Sequence, residues 1–516
     1  MLNNTSQNLK NNYNQAYTDL EQSEIDTAQN DILQDIQGNI LKSHGRTYSI
    51  YLFLHFDIDR AKATKKWIGD FGEKYIVSAI KQQEQSQEYK KFLKKNKATP
   101  HQNLFVNFSL SFKGYEALRL DAKSNFRKPH QQKIKDIESP FPSQHPFEQG
   151  MLASLNTLKD NVKDCEPEYL HNEIHALISL ADSDPKSLWQ ETNKIIAEIK
   201  ANKNNIEIIK KEIGLIRRND LNQPIEPFGF PDGISQPLFF KPDIDKVKNT
   251  DKWCPSAKLR LVLNVDPFGK RFEDKVTGDK YSFGSFLVYR KLEQNVDGFN
   301  NRVRELACEL ENKETDCQPK EETEQLTRAY IMGRFREDGR PVAIYSNLDS
   351  SEENGIELNN FNYGKGKYFT ETSRWKCPFH AHVRKVNSRA ISDEVYSLTN
   401  YEDRPEDQRR RRIVRRGTTY GLPKENYDSP LSESTKEDLK HYQNLSEKLE
   451  VKLEKGKEGI LFFCFQTDIA AQFEKLQDYA NDENFGPKRE GNLGADPIAG
   501  QNNEEEWKVH QTWPRK

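Results

Sequence analysis

Cysteine is scarce: the chain has six in 516 residues. Cys165, Cys254, Cys308, Cys317, Cys377 and Cys464 form no CxxC pair and no zinc-ligand spacing. The CxxCH signature that attaches a c-type haem covalently is missing too. Such scattered cysteines fit free thiols in a reducing compartment. No apolar run approaches the roughly 20 residues of a membrane span. The N-terminus is rich in Asn, Gln and Ser and lacks the apolar core of a secretory signal. These absences predict a soluble, cytoplasmic protein whose residues 1–32 form a mobile arm. An excess of positive charge is also missing. With 78 basic and 80 acidic residues the net charge is -2, so neither nucleic acid nor a membrane surface is expected as a partner. The phosphate loops GxGxxG and GxxxxGKS/T and the GxSxG nucleophile elbow are absent.

What the chain does have is aromatic residues: 28 Phe, 20 Tyr and 6 Trp against 31% charged residues. That is enough to build cores, and the length predicts two domains. TYSIYLFLHF (47–56), NLFVNFSLSF (103–112) and IHALISLA (174–181) read as strands, and 58–95 reads as helix. Residues 186–212 read as a charged amphipathic helix with IEIIKKEIGLIRR as its apolar end. KLRLVLNV (258–265), FGSFLVYRKL (283–292) and GILFFCFQTDI (459–469) read as strands, with a helix over 470–482. The acidic stretch 296–328 reads as helical, and the charged 427–457 as an inserted surface segment. Strands and helices mixed without a strict βαβ repeat predict an α+β fold.

Four stretches invite a chemical reading. FGFPDGISQP (228–237) sets Asp232 in a Pro-Asp-Gly turn between apolar residues. The turn alone is one reading. The other is a carboxylate whose pKa is raised by partial desolvation, usable as a proton shuttle and favouring acidic pH. CPFHAHVRKVNSR (377–389) holds His380 and His382, which are not expected to share one metal ion; one is a candidate axial ligand, and packed histidines are the alternative. Arg384, Lys385 and Arg389 beside them can pair with carboxylates. RRRRIVRRGTTYG (409–421) is a solvated or nucleic-acid-binding face, unless alternation with Ile413 turns Arg415 inward. GILFFCFQ (459–466) is a core strand or the wall of a planar apolar cofactor.

Together and in this order, these stretches resemble the dye-decolorising peroxidase family of haem enzymes. GFPDG matches the family's GxxDG motif, CPFHAHVRK is similar to its proximal histidine segment, and RRIVRRGTTYG to its distal arginine segment. DIQGNILKSHG, GSFLVYRKLEQ, MGRF, GILFFCFQTDI and GADPIAGQ also look like family segments in family order, so the resemblance spans roughly residues 33–513. It implies two ferredoxin-like domains with antiparallel sheets, 33–250 carrying GxxDG at its end and 251–516 holding most of one non-covalent haem b. By the same resemblance Asp232 is the distal aspartate, Arg415 the distal arginine and His382 the proximal iron ligand. Ile460 and Phe462 face the distal side, and Asp496 lies near the proximal side. Arg384 and Arg389 are candidate propionate contacts, and Tyr420 and Trp375 candidate electron relays. The implied reaction reduces hydrogen peroxide to water through an oxoferryl intermediate and oxidises dyes, phenolics or other organic donors. A haem carrier or sensor with little turnover is the alternative.

Overall fold

The computed structural model describes residues 27–93, 104–126, 145–202, 205–247, 253–273, 278, 280–314, 316–345, 357–361, 377–387, 405–424, 430–483 and 494–501. Its strands are β1 (Tyr48–Phe56), β2 (Phe105–Leu110), β3 (Ala176–Asp182), β4 (Ile206–Leu215), β5 (Arg217–Arg218), β6 (Pro224–Ile225), β7 (Asn264–Asp266), β8 (Phe272–Glu273), β9 (Lys280–Gly284), β10 (Phe286–Glu293), β11 (Val414–Arg415), β12 (Thr418–Gly421) and β13 (Glu458–Gln466). The main sheet runs β10-β13-β12-β4-β1-β3-β2, with β11 also on β13, and its pairs are antiparallel. The strands of the two halves of the chain meet where Thr419 on β12 pairs with Leu215 on β4. This is the expected α+β architecture; the boundary expected at 250/251 lies outside the described residues.

Period-2 alternation sorts each strand's side chains into two faces. On β1, Ile50, Leu52 and Leu54 are buried with Trp67 and Phe71 of the 61–75 helix and with Leu188, Ile195 and Ile199 of the 185–201 helix. Tyr51 and Phe53 point the other way, where Tyr51 stacks on Phe463 of β13 with ring centroids 4.7 Å apart. That contact joins strands that are not neighbours, so the sheet curls until its two halves face each other. The halves are also bridged by a buried ion pair, Arg217 to Glu458.

Four expectations change. IEIIKKEIGLIRR supplies β4, next to β1, and the preceding helix stops at Ala201. Its β-branched isoleucines and the pairing partner override a locally helical charge pattern. KLRLVLNV forms a 3-10 turn, Leu259–Leu261, and the short β7; those leucines are buried in a satellite core and, among the described residues, pair with no strand over that stretch. The 427–457 segment contains a helix, Glu433–Leu449, whose Tyr442, Leu445 and Leu449 are buried in the core of the N-terminal strands. Its i, i+3, i+7 spacing gives one apolar stripe beneath a charged outer face. Finally, Cys308 and Cys317 form a disulfide linking the 296–310 helix to the lead-in of the 321–332 helix, while Cys165, Cys254, Cys377 and Cys464 are free. The cysteine argument for a reducing compartment therefore falls. Among the described residues, no helix is long and apolar enough to cross a membrane.

Candidate active site

A cavity of about 1490 Å³ opens beside β10 and β13, and Asp232, Arg415, His382, Phe230, Ile460 and Phe462 all line it. They arrive on two strands, one turn and one short helix. Ile460 and Phe462 sit two apart on β13 and so share a face, while Leu461 and Phe463 point into the interior of the sheet. Alternation also orients β11: Val414 is fully buried in the opposite core, which turns Arg415 toward the cavity. Two other arginines of the run are tied to backbone carbonyls, while Arg410 is exposed. Arg412 donates to the carbonyls of Cys254 (2.6 Å) and Ser256 (3.1 Å), and Arg416 to those of Asn39 (2.7 Å) and Ile40 (3.1 Å). These guanidinium groups do not form an open phosphate-binding face.

The FGFPDGISQP stretch is a turn built around its aspartate. Gly229 (φ 92°) and Gly233 (φ 81°) both adopt the left-handed region that L side chains avoid. A Cβ at Gly229 would also press on the Arg336 side chain at 3.0 Å. The Asp232 N–H donates to the Pro224 carbonyl (2.8 Å), and its Oδ1 accepts from the Gly233 N–H (2.7 Å) and from Arg415 Nη1 (2.7 Å). Gln236 completes the assembly by accepting the Arg415 backbone N–H at 3.2 Å. Burial pushes the Asp232 pKa up, but the Arg415 charge, the Gly233 and Arg415 hydrogen bonds and the charge of His382 outweigh it. The carboxyl is held below its ordinary value, so the raised pKa expected from the apolar flanks does not occur. Those flanks have no compensating cation in the sequence; the structure supplies one from 183 residues away.

His382 opens a short helix, His382–Val386. Its Nδ1 lies 2.7 Å from Asp496 Oδ2. Asp496 is buried and accepts the N–H groups of Ile498 (2.8 Å) and Ala499 (3.1 Å). Burial raises its pKa, but the His382 charge and these bonds prevail and hold it below the ordinary value. An ionised acceptor keeps the proton on Nδ1 and leaves the Nε2 lone pair for the cavity that His382 lines. Asp496 itself stands behind the histidine, outside the lining. His380 is buried and is not a lining residue.

Arg384 is not brought to the cavity. It is buried over the Phe379 ring (4.0 Å) and donates to the Cys377 carbonyl. At 100° per residue, position 384 lies on the opposite side of the helix from 382. Arg389 and Trp375 lie outside the described residues. Tyr420 lines the cavity, with the Lys291 ammonium 5.0 Å from its ring centroid.

One group escaped the sequence reading. Glu226 is buried, lines the cavity and has a pKa pushed up to about 7, first by burial and further by the charge of Asp232. In EPFGFPDG it reads as an ordinary loop residue; only its position six before Asp232 hints otherwise.

The donor set fits a haem: one imidazole backed by a carboxylate, apolar walls, and a charged pair on the same cavity. Comparison with known proteins points the same way. Residues 35–218 match the family described as DyP dimeric alpha+beta barrel domain. The multifunctional dye peroxidase DyP2 of Amycolatopsis sp. is 30% identical over 478 residues, covering 91% of this chain and 86% of its own. The crystal structure of an Anabaena sp. DyP-type peroxidase superposes with a TM-score of 0.69 at 33% identity, covering 97% of this chain and 91% of that one. The dye-decolorizing peroxidase AauDyP1 of Auricularia auricula-judae is 24% identical over 362 residues, which is 69% of this chain and 62% of that protein. The chain belongs to the dye-decolorising peroxidase family and is a haem peroxidase.

Proposed function

We propose that Asp232 and Arg415 are the peroxide-handling pair and that His382, oriented by Asp496, is the iron ligand of one non-covalently bound haem b. Haem supplies the redox-active iron at which the peroxide O–O bond is cleaved. The protein's residues do the rest. Ionised Asp232 takes the proton from the inner peroxide oxygen and delivers it to the outer one, so that water can leave. Arg415 stabilises the negative charge that develops on the departing oxygen. Phe230, Ile460 and Phe462 line the cavity and keep bulk water away, which strengthens both effects. His382 donates its Nδ1–H to ionised Asp496, which would make Nε2 a stronger donor to iron. Two protons and two electrons convert hydrogen peroxide to two waters, the electrons coming from an organic donor such as a dye or phenol.

The observation that supports this reading best is the convergence of two carboxylate pairs on one cavity: Asp232–Arg415 at 2.7 Å and His382–Asp496 at 2.7 Å. The test is an absorption spectrum of the haem-loaded protein before and after one equivalent of hydrogen peroxide. A prompt change of the ferric spectrum is expected. A spectrum untouched by peroxide would favour a haem carrier instead.

A further inference from the structure

Asp232 stands on a turn whose backbone is held by a second carboxylate. Glu226 Oε2 accepts the Phe228 N–H at 2.9 Å, and Oε1 accepts the Phe230 N–H at 2.9 Å. Its own N–H donates to the Phe230 carbonyl (3.1 Å), and its carbonyl accepts the Gly229 N–H (2.7 Å). Residues 226–230 are thus closed into a ring around one side chain. From the end of β10, the Gln294 amide reaches the same carboxylate at 2.5 Å. Phe228 and Phe230 in turn pack on Phe299 of the 296–310 helix, with ring centroids 4.3 Å and 6.2 Å away.

We propose that Glu226 is a positioning residue for Asp232: its two carboxylate oxygens clamp the 226–230 turn and thereby set where the Asp232 carboxylate stands against Arg415. The inference rests on the reading of Asp232 given above.

The clamp depends on both oxygens accepting. A protonated Glu226 would turn one oxygen into a donor facing an N–H, and the turn would lose a bond. Its pKa of about 7 is set first by burial, which raises it. The Gln294, Phe228 and Phe230 bonds lower it, and the Asp232 charge raises it. The elements around it carry further charges: Glu293 ending β10, Asp297 and Arg302 on the 296–310 helix, Arg336 on the turn after Gly333, and Arg415 on β11. The clamp is therefore complete above about pH 7 and weakens as the pH falls through it.

The experiment is hydrogen exchange of the Phe228 and Phe230 amides in the haem-loaded full chain from pH 5.5 to 8.5 (about three units around the transition), corrected for intrinsic rates and referenced to β1 amides. The wild type should gain protection as the pH rises through about 7. Glu226→Gln should lose at least about ten-fold of that protection, become insensitive to pH, and react at least about ten-fold more slowly with peroxide at unchanged haem content. Gln294→Met removes the bond that favours the charged form and should move the midpoint upward; this variant decides the matter if Glu226→Gln does not fold. Unchanged exchange in Glu226→Gln, an unmoved midpoint in Gln294→Met, or altered exchange with an unaltered peroxide rate would each overturn the proposal. Exchange is read without peroxide. A failure of the Asp232 assignment is recognised separately, by Asp232→Asn reacting with peroxide as the wild type does.

Discussion

Two carboxylate pairs, one with an imidazole and one with a guanidinium, meet the same cavity at the same 2.7 Å separation, yet they are built differently. In the His382–Asp496 pair the carboxylate side chain is 0% exposed and only the imidazole, at 26%, reaches the cavity. In the Asp232–Arg415 pair both members open onto it, at 32% and 36%. Both aspartates are held below the ordinary pKa by their partners. A sealed carboxylate with every oxygen occupied is suited to holding an orientation. A carboxylate that is partly exposed and lines the cavity is suited to exchanging a proton. One pairing pattern thus yields a sealed carboxylate on one side and an open one on the other.

This contrast can be broken in order of expected effect. His382→Ala removes the only part of the buried pair that reaches the cavity, so haem retention, read as the Soret absorbance of the purified, haem-supplemented protein, should be lost. Asp232→Asn and Arg415→Leu should each keep haem but slow the peroxide reaction in stopped flow by about 10²–10³; rates within two-fold of the wild type would dissolve the distinction between the pairs. Asp496→Asn keeps the shape but not the charge, and should weaken haem affinity by about 10–100-fold, measured as haem transfer to a competing apoprotein.

The pH dependence sharpens the comparison further. The pKa of Asp232 is depressed, so its ionised form persists as the pH falls and is lost only below the ordinary carboxylate value of about 3.9. The peroxide rate constant should carry no Asp232 limb between about pH 7 and 4. In Arg415→Leu the lowering charge is gone, and the residual rate should fall at a higher pH. A carboxylate-dependent drop complete near pH 5 that persists in Glu226→Gln, where the clamp no longer titrates, would contradict the depressed value. The smallest effect is structural. Tyr442 donates to the Ile213 carbonyl (3.0 Å) and accepts the Gly421 N–H (3.2 Å), tying the 433–449 helix to both halves of the sheet. Tyr442→Phe leaves two buried backbone groups short of a partner and should cost about 1–3 kcal/mol in denaturant unfolding, with haem binding intact.

Much of the site was legible because short segments carry it. The GFPDG turn, the alternation that turns Arg415 inward and the shared face of Ile460 and Phe462 follow from local rules of backbone conformation and periodicity. Arg384 stands off the cavity lining because proximity to His382 in sequence says nothing about angle once the segment becomes helical. Glu226 was missed because its burial comes from Gln294 and the turn it clamps, 68 residues apart in the chain. The 427–457 segment looked like a surface insertion because its charges are visible in the sequence while the core that its stripe covers is not.

The sequence by itself determined the family, the α+β class and the identity of the four residues that form the two pairs. Tertiary structure alone decided their chemistry. Asp232 finds Arg415 across 183 residues and His382 finds Asp496 across 114. A pKa is the balance of burial against partners that only folding brings within reach. The apolar neighbours of Asp232 in the chain predict a raised value; the guanidinium that the folded sheet delivers reverses the sign.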